Sequence, residues 1–93
     1  MNPDYHFRLF IAGHTHTARR ATEHLRSYAQ LLEDQGIKVC IEVVDILDDL
    51  QVAEDERILV TPVLVRKTPQ PELRVVGDLS LKDRLFSALE LPV

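Results

Sequence analysis

A proline divides the most strand-like run of this chain. Ile58-Leu-Val-Thr-Pro-Val-Leu-Val65 is apolar and rich in β-branched residues, yet Thr61-Pro62 stands in its middle. Proline has no N–H to give to a ladder, so Pro62 must open a strand or sit on an edge. The strand proper is therefore expected over Val63–Lys67, and whatever precedes it must approach through a turn.

Upstream, the pattern is more regular. His6 to Ala12 alternates, with Phe7, Leu9 and Ile11 on one face and Arg8 and Phe10 on the other, and Gly13 ends it. Thr15 or Thr17 can cap a long helix reaching about Gln35, whose buried stripe is Ala18, Ala21, Leu25, Tyr28, Ala29 and Leu32. Gly36 is the expected stop, because glycine takes the left-handed conformation cheaply. Ile37 to Val44 alternates again through Ile37, Val39, Ile41 and Val43. A strand, a long helix and a second strand make a βαβ crossover with parallel strands.

Downstream the elements shorten. Leu50 to Ile58 reads as an acidic helix with Leu50, Ala53 and Arg57 on one side. Thr68-Pro-Gln-Pro71 is a turn that no helix crosses, Leu73–Val76 is a short strand, and Ser80-x-x-Asp83 has the form of a capping box before Leu81, Leu85, Phe86 and Leu89. The expected fold class is α/β, in the order βαβαββα, with a central mixed sheet flanked by helices. That order is the thioredoxin-like one, in which a Thr-Pro step, commonly cis, leads into the third strand.

Ninety-three residues make one small domain, residues 1–93, with a modest core. An apolar fraction of 45% and a charged fraction of 28% are ordinary for a soluble globular protein. No apolar stretch approaches the roughly 20 residues needed to span a bilayer, and the first residues lack the basic and apolar regions of a signal peptide. A single cysteine, Cys40, suits a reducing cytoplasm. A formal charge of −4 gives no general reason to bind nucleic acid. The charge is uneven, however: the seven acidic residues from Glu42 to Glu56 include no intervening base, a distribution suited to a protein partner.

No catalytic constellation emerges. Thioredoxin-like redox enzymes carry Cys-x-x-Cys at the start of the first helix, where this chain reads Gly13-His-Thr-His-Thr17. Cys40 lies within a strand, with no helix N-terminus or cation beside it in sequence to make a thiolate. His14-x-His16 would hold a metal only if a third ligand reached it from a distant carboxylate, and no Cys-x-x-Cys, His-Glu-x-x-His or calcium-loop pattern accompanies it or His24, so solvated loop histidines are the expected reading. Gly13 alone is no phosphate loop, and the carboxylates around Asp45–Asp49 include no acid–base pair. No cofactor and no metal are expected.

Four segments carry a family likeness: Arg8-Leu-Phe-Ile-Ala-Gly13, Val43-Val-Asp-Ile-Leu47, Leu50-Gln-Val-Ala-Glu-Asp-Glu-Arg-Ile-Leu-Val-Thr-Pro-Val-Leu64 and Arg74-Val-Val-Gly-Asp-Leu-Ser80. In this order and spacing they make the chain resemble the KaiB family of bacterial circadian-clock proteins over nearly its whole length. The resemblance implies a non-enzymatic protein that binds the ATPase ring of KaiC, then captures KaiA and lets KaiC dephosphorylate. It also implies two folds: a resting homo-oligomer, often a tetramer, with a rearranged second half, and a thioredoxin-like monomer that binds KaiC. Two packings within a few kcal/mol are what such a switch requires.

Carried over by position, the resemblance implies a KaiC-type interface at Gln51, Ala53 and Arg57, with Arg8, Arg20 and Arg74 as charge partners. It implies a KaiA-type contact along Val39, Ile41, Glu42 and Val43. At one of those positions the clock proteins usually carry lysine where this chain has Glu42, and a charge inversion of that kind counts against KaiA capture. The acidic C-terminal tail of many clock members is absent, and His16 replaces the loop proline. Thr61-Pro62, an X-Pro bond, is a candidate slow step between the folds. The usual Gly-Leu-Asp near the end is here Ala88-Leu-Glu90; alanine favours helix over glycine by up to about 1 kcal/mol, so the thioredoxin-like form is expected to dominate. Two alternatives stay open: a thioredoxin-like module of another bacterial signalling or stress pathway, and a monothiol redox protein using Cys40.

Overall fold

The computed structural model describes residues 2–92. Seven elements follow one another: β1 (Tyr5–Ile11), α1 (His16–Glu33), β2 (Val39–Asp45), α2 (Leu50–Asp55), β3 (Val63–Thr68), β4 (Leu73–Val76) and α3 (Lys82–Ala88). The strands form one mixed sheet in the order β2-β1-β3-β4. β1 and β2 pair in parallel, while β3 runs antiparallel to β1 and β4 antiparallel to β3. The expected βαβαββα architecture is present, and Pro62 immediately precedes β3 through a cis Thr61–Pro62 bond.

Strand alternation divides the core into two unequal layers. Phe7, Leu9 and Ile11 of β1 and Leu64 of β3 face α1 and α3, where they meet Ala18, Ala21, Leu25, Tyr28, Leu32, Leu85, Phe86 and Leu89. Leu25 and Leu32, 2% and 0% exposed, each contribute on the order of 2 kcal/mol by leaving water. The opposite layer holds only Phe10, Ile58, Val63 and Val65, with Val44, Ile46, Val52 and Ala53 half-buried against them. No residue of α2 is itself buried. An element with so little buried surface opens at low free-energy cost.

Thr15, rather than Thr17, caps α1: its hydroxyl accepts the Ala18 N–H at 3.0 Å. All three helices end in one hydrogen-bonded arrangement, in which the residue after a left-handed position reaches back to the last turn. After α1, Gly36 is left-handed at φ 83°, its N–H donates to Glu33 O, and the Ile37 N–H donates to Leu32 O. Ile37 is spent on this closure, so β2 begins at Val39 and not at Ile37. After α2 the left-handed position is Arg57 (φ 55°), with Ile58 N–H donating to Ala53 O; after α3 it is Glu90 (φ 54°), with Leu91 N–H donating to Phe86 O. Only the first of these positions has glycine. A side chain there costs roughly 1–2 kcal/mol, partly offset by the greater unfolded-state freedom of glycine. Glu90→Gly is therefore expected to raise stability by about 0.5–1 kcal/mol, measured by urea unfolding.

Three local expectations need correction. The Ser80 capping box does not form: Leu81 holds the N-cap position without a side-chain hydrogen bond, because the Ser80 N–H is already donated to Asp78 Oδ1 at 3.1 Å. Leu81 is exposed, leaving Leu85, Phe86 and Leu89 as the buried face. In α2, Leu50 points to solvent and the helix stops at Asp55, so Arg57 lies beyond it; Val52 and Ala53 supply the packing.

Candidate partner interface

Glu56, the C-cap of α2, gathers three basic side chains drawn from three strands. Its Oε1 accepts from Arg8 Nη1 and from Lys67 Nζ, each at 3.0 Å. Its carbonyl accepts from Arg74 Nη2 at 2.6 Å. Arg8 reaches it because the residues facing α2 on β1 are those out of phase with Phe7 and Leu9, and Lys67 is likewise out of phase with Leu64 on β3. The same Arg8 donates to Glu42, its register partner on β2, at 3.2 Å. His6 hydrogen-bonds the same Glu42 oxygen. Lys67 also reaches Glu72 at 3.1 Å.

These pairs tune the carboxylates. At Glu56 the Lys67 ammonium, joined by Arg8, outweighs the upward push of desolvation and holds the group below the usual carboxylate range. At Glu42 desolvation pushes upward, and the hydrogen bonds from Arg8 and His6 overcome it and lower the group. Burial alone would lower Lys67, but Glu56 and Glu72 together raise it. The network thus joins β2, β1, β3 and the end of α2 through charge-assisted bonds. Sequence pattern does not show Glu56 as its centre, since an acidic residue in an acidic run looks like solvated surface.

The implied partner-facing residues separate into two groups. Ala53 is half-buried against Phe10 and its neighbours, Gln51 is exposed with its amide on Asp55, and Arg57 is exposed at the left-handed turn. Arg8 and Arg74 lie beside them but are held by Glu42 and Glu56. Arg20 is elsewhere: it projects from α1, on the far face of the sheet, and pairs with Asp78 at 3.1 Å. Apolar side chains flank α2 in the chain without cover. Leu59 is 96% exposed, and Leu47, Leu50 and Val60 are each more than half exposed.

On β2, which is an edge strand, Val39 and Ile41 pack toward α1 and Val43 is exposed. Cys40 is exposed and on the other face, beside Glu42 in register with β1. At the end of the strand, Asp45 accepts the N–H groups of Gly13 and Leu47, both at 3.0 Å. Those two bonds lower its pKa and tie the first turn to β2.

The histidines do not converge. His24 meets the Asp78 carbonyl at 2.7 Å and stacks on Tyr28, whereas His14 and His16 are exposed. Among the described residues no group of three or more His, Cys, Asp or Glu is placed to hold a metal ion. Among the described residues no helix is long and apolar enough to cross a membrane.

Comparison with known proteins agrees with this geometry. A family model described as the KaiB domain matches residues 8–91. A circadian clock oscillator protein KaiB of Synechococcus sp. (strain RCC307) is 38% identical over 88 residues, covering 94% of this chain and 77% of that protein. Among solved structures, the N-terminal domain of Synechococcus elongatus SasA superposes with a TM-score of 0.76 at 21% identity, covering 94% of this chain and 80% of that one. Oxidised mitochondrial thioredoxin 3 of Saccharomyces cerevisiae follows at a TM-score of 0.73 and 14% identity, with 96% and 79% coverage. The two superpositions establish the thioredoxin-like fold, and the sequence matches go further: this chain belongs to the KaiB family of circadian-clock proteins.

Proposed function

We propose that this protein acts in the cytoplasm as a non-enzymatic docking protein that binds a KaiC-type ATPase ring through the α2 face and modulates its phosphorylation state. The observation that carries the reading is the exposed apolar set Leu47, Leu50, Leu59 and Val60 around a helix with no buried residue. Leu47 and Leu50 lie before and at the start of α2, and Leu59 and Val60 follow it, so exposed apolar side chains are concentrated on both sides of one short helix, a distribution suited to an interaction site. Arg57 supports it. Glycine is the inexpensive occupant of its left-handed position, and a guanidinium held there at a cost in backbone strain is accounted for by a partner contact.

Isothermal titration against the KaiC homologues of the same organism tests this. Arg57→Glu is expected to weaken binding by about tenfold or more, the scale of a lost and inverted charge contact. Arg57→Gly should weaken binding too, while raising stability by about 0.5–1 kcal/mol. Wild-type affinity in both variants would remove Arg57 from the interface, and no binding by the parent chain would sink the reading.

Glu42, engaged by Arg8 and His6, presents carboxylate where the clock proteins usually have lysine, so we propose that no KaiA-type partner is captured on β2. Co-elution of such a protein with the ATPase-bound form would contradict that. Nor do we assign thiol chemistry to Cys40: Cys40→Ser is expected to match the parent chain in a disulfide-reduction assay, and a clear loss of turnover would reinstate the monothiol enzyme.

A further inference from the structure

A groove opens along the flank of α1 nearest β2, across the sheet from α2, with a volume of about 310 Å³. Ile11, Ala18 and Val43 form its apolar floor, and His14, Arg19 and Arg26 its exposed basic rim. It exists because β2 is the edge strand on that side: among the described residues no further strand lies beyond it to cover the helix flank. Helical spacing sets Ala18, Thr22 and Arg26 above one another, four residues apart, on that flank.

Five of the eleven lysines and arginines are already committed to polar acceptors. Arg8, Arg20, Arg66, Lys67 and Arg74 each donate to an acceptor of the protein itself. Arg19 and Arg26 have no hydrogen-bond or ion-pair partner among the described residues, whereas His14 lies near the Asp45 carboxylate and helps to hold it ionised. Glu23 shares the rim, so the two guanidiniums keep a surplus of positive charge without becoming a polyanion site. The Thr22 hydroxyl is donated to the Ala18 carbonyl at 2.9 Å, so it offers no proton that would favour a neutral acceptor.

We propose that this groove binds a small organic monoanion: a carboxylate carried on an apolar ring or a short alkyl body. The guanidinium fork matches a carboxylate in two parallel hydrogen bonds. The volume lies at the lower end of the ~300–1,000 Å³ range of small-molecule pockets, enough for one ring over Ala18 and Val43. The site is separate from the α2 face and stands independently of the ATPase reading.

Titration of the ¹⁵N-labelled full chain with benzoate tests it. Saturable amide shifts are expected at Ile11, His14, Ala18, Thr22 and Val43. Acetate, which lacks the apolar body, and benzyl alcohol and benzylamine, which lack the negative charge, should each bind about tenfold more weakly or not at all. The double substitution Arg19→Gln/Arg26→Gln should lose about tenfold in benzoate affinity, roughly one charge-assisted hydrogen bond. Both arginines are exposed, and an otherwise unchanged spectrum verifies the fold. Val43→Asp, which sets a carboxylate at the floor, should produce a similar loss. Equal binding of benzoate and benzylamine, shifts elsewhere on the protein, an unaffected double variant, or a response to an acidic peptide alone would each overturn the assignment.

Discussion

Arg66→Ala is expected to destabilise the protein by about 3 kcal/mol, the cost of stranding buried acceptors together with the loss of a packed stem. Arg66 is 3% exposed, directly after the buried run Val63-Leu-Val65 of β3. Its Nη1 donates to the Leu89 carbonyl at 2.9 Å and its Nη2 to the Pro71 carbonyl at 2.8 Å. Leu89 caps the C-terminus of α3, where helix dipoles concentrate negative charge, and a cation placed there in a partly buried setting contributes up to about 2 kcal/mol. One guanidinium therefore fastens both the end of the last helix and the Pro-rich turn to β3. Nε has no partner among the described residues, so the contact is not fully satisfied and its net worth is below the gross strength of two charge-assisted bonds. Arg66→Met should cost less, about 1–2 kcal/mol, because the apolar stem is kept. Arg66→Lys should fall between them, since a single ammonium lacks the planar fork that spans two carbonyls. Urea unfolding gives all three values. A change under about 0.5 kcal/mol for Arg66→Ala, the range of an unremarkable surface substitution, would show that the C-terminus of α3 is held by Leu85, Phe86 and Leu89 alone.

The second large effect belongs to Glu56. Glu56→Gln keeps the shape but removes the charge that Arg8 and Lys67 share, and is expected to cost about 1–2 kcal/mol. Glu56 is 22% exposed and its two partners 25% and 20%, so these pairs are screened less than surface ones. The effect should be local as well as global. Since α2 buries none of its own residues, amide exchange over residues 50–58 should accelerate more than exchange in α1. The pH dependence carries a sign. A carboxylate whose folded pKa is lowered adds stability above its unfolded value and loses it as pH falls through the folded one. Glu56 and Glu42 are both lowered by their basic neighbours, so the parent chain should weaken on acidification below the ordinary carboxylate range. Glu56→Gln should lose part of that slope. Identical acid-unfolding profiles for parent and variant would dissolve the network as an energetic unit.

Both residues show where reading from pattern stops. Arg66 follows Val63-Leu-Val65, and the alternation places it on the same face as Leu64, toward α3. That position is visible in one dimension, but its acceptors, 5 and 23 residues away, are not. Glu56 lies in an acidic run whose default reading is solvated surface, and its partners come from positions 8, 67 and 74. The Ser80 box failed for a related reason: Asp78 competed for the same N–H, and a capping motif cannot reveal its competitor. The resemblance placed Arg8, Arg20 and Arg74 together as charge partners, whereas the sheet separates Arg20 from the other two.

Short-range physics is written plainly in the chain. Alternation along β1, the apolar stripe of α1, Gly36 at its end and Pro62 before β3 are each a matter of neighbours within about one or two helical turns, and together they specify the element order and the larger core layer. The family segments lie in that same linear record. The convergence of three strands on the end of α2, the bare apolar rim around it and the open flank beside β2 depend on which strand is central and which is an edge. Those are long-range pairings, between residues up to 62 positions apart where His6 of β1 meets Thr68 of β3, and only the folded sheet chooses them, because charge and exposure are properties of the space around a side chain and not of its neighbours in sequence.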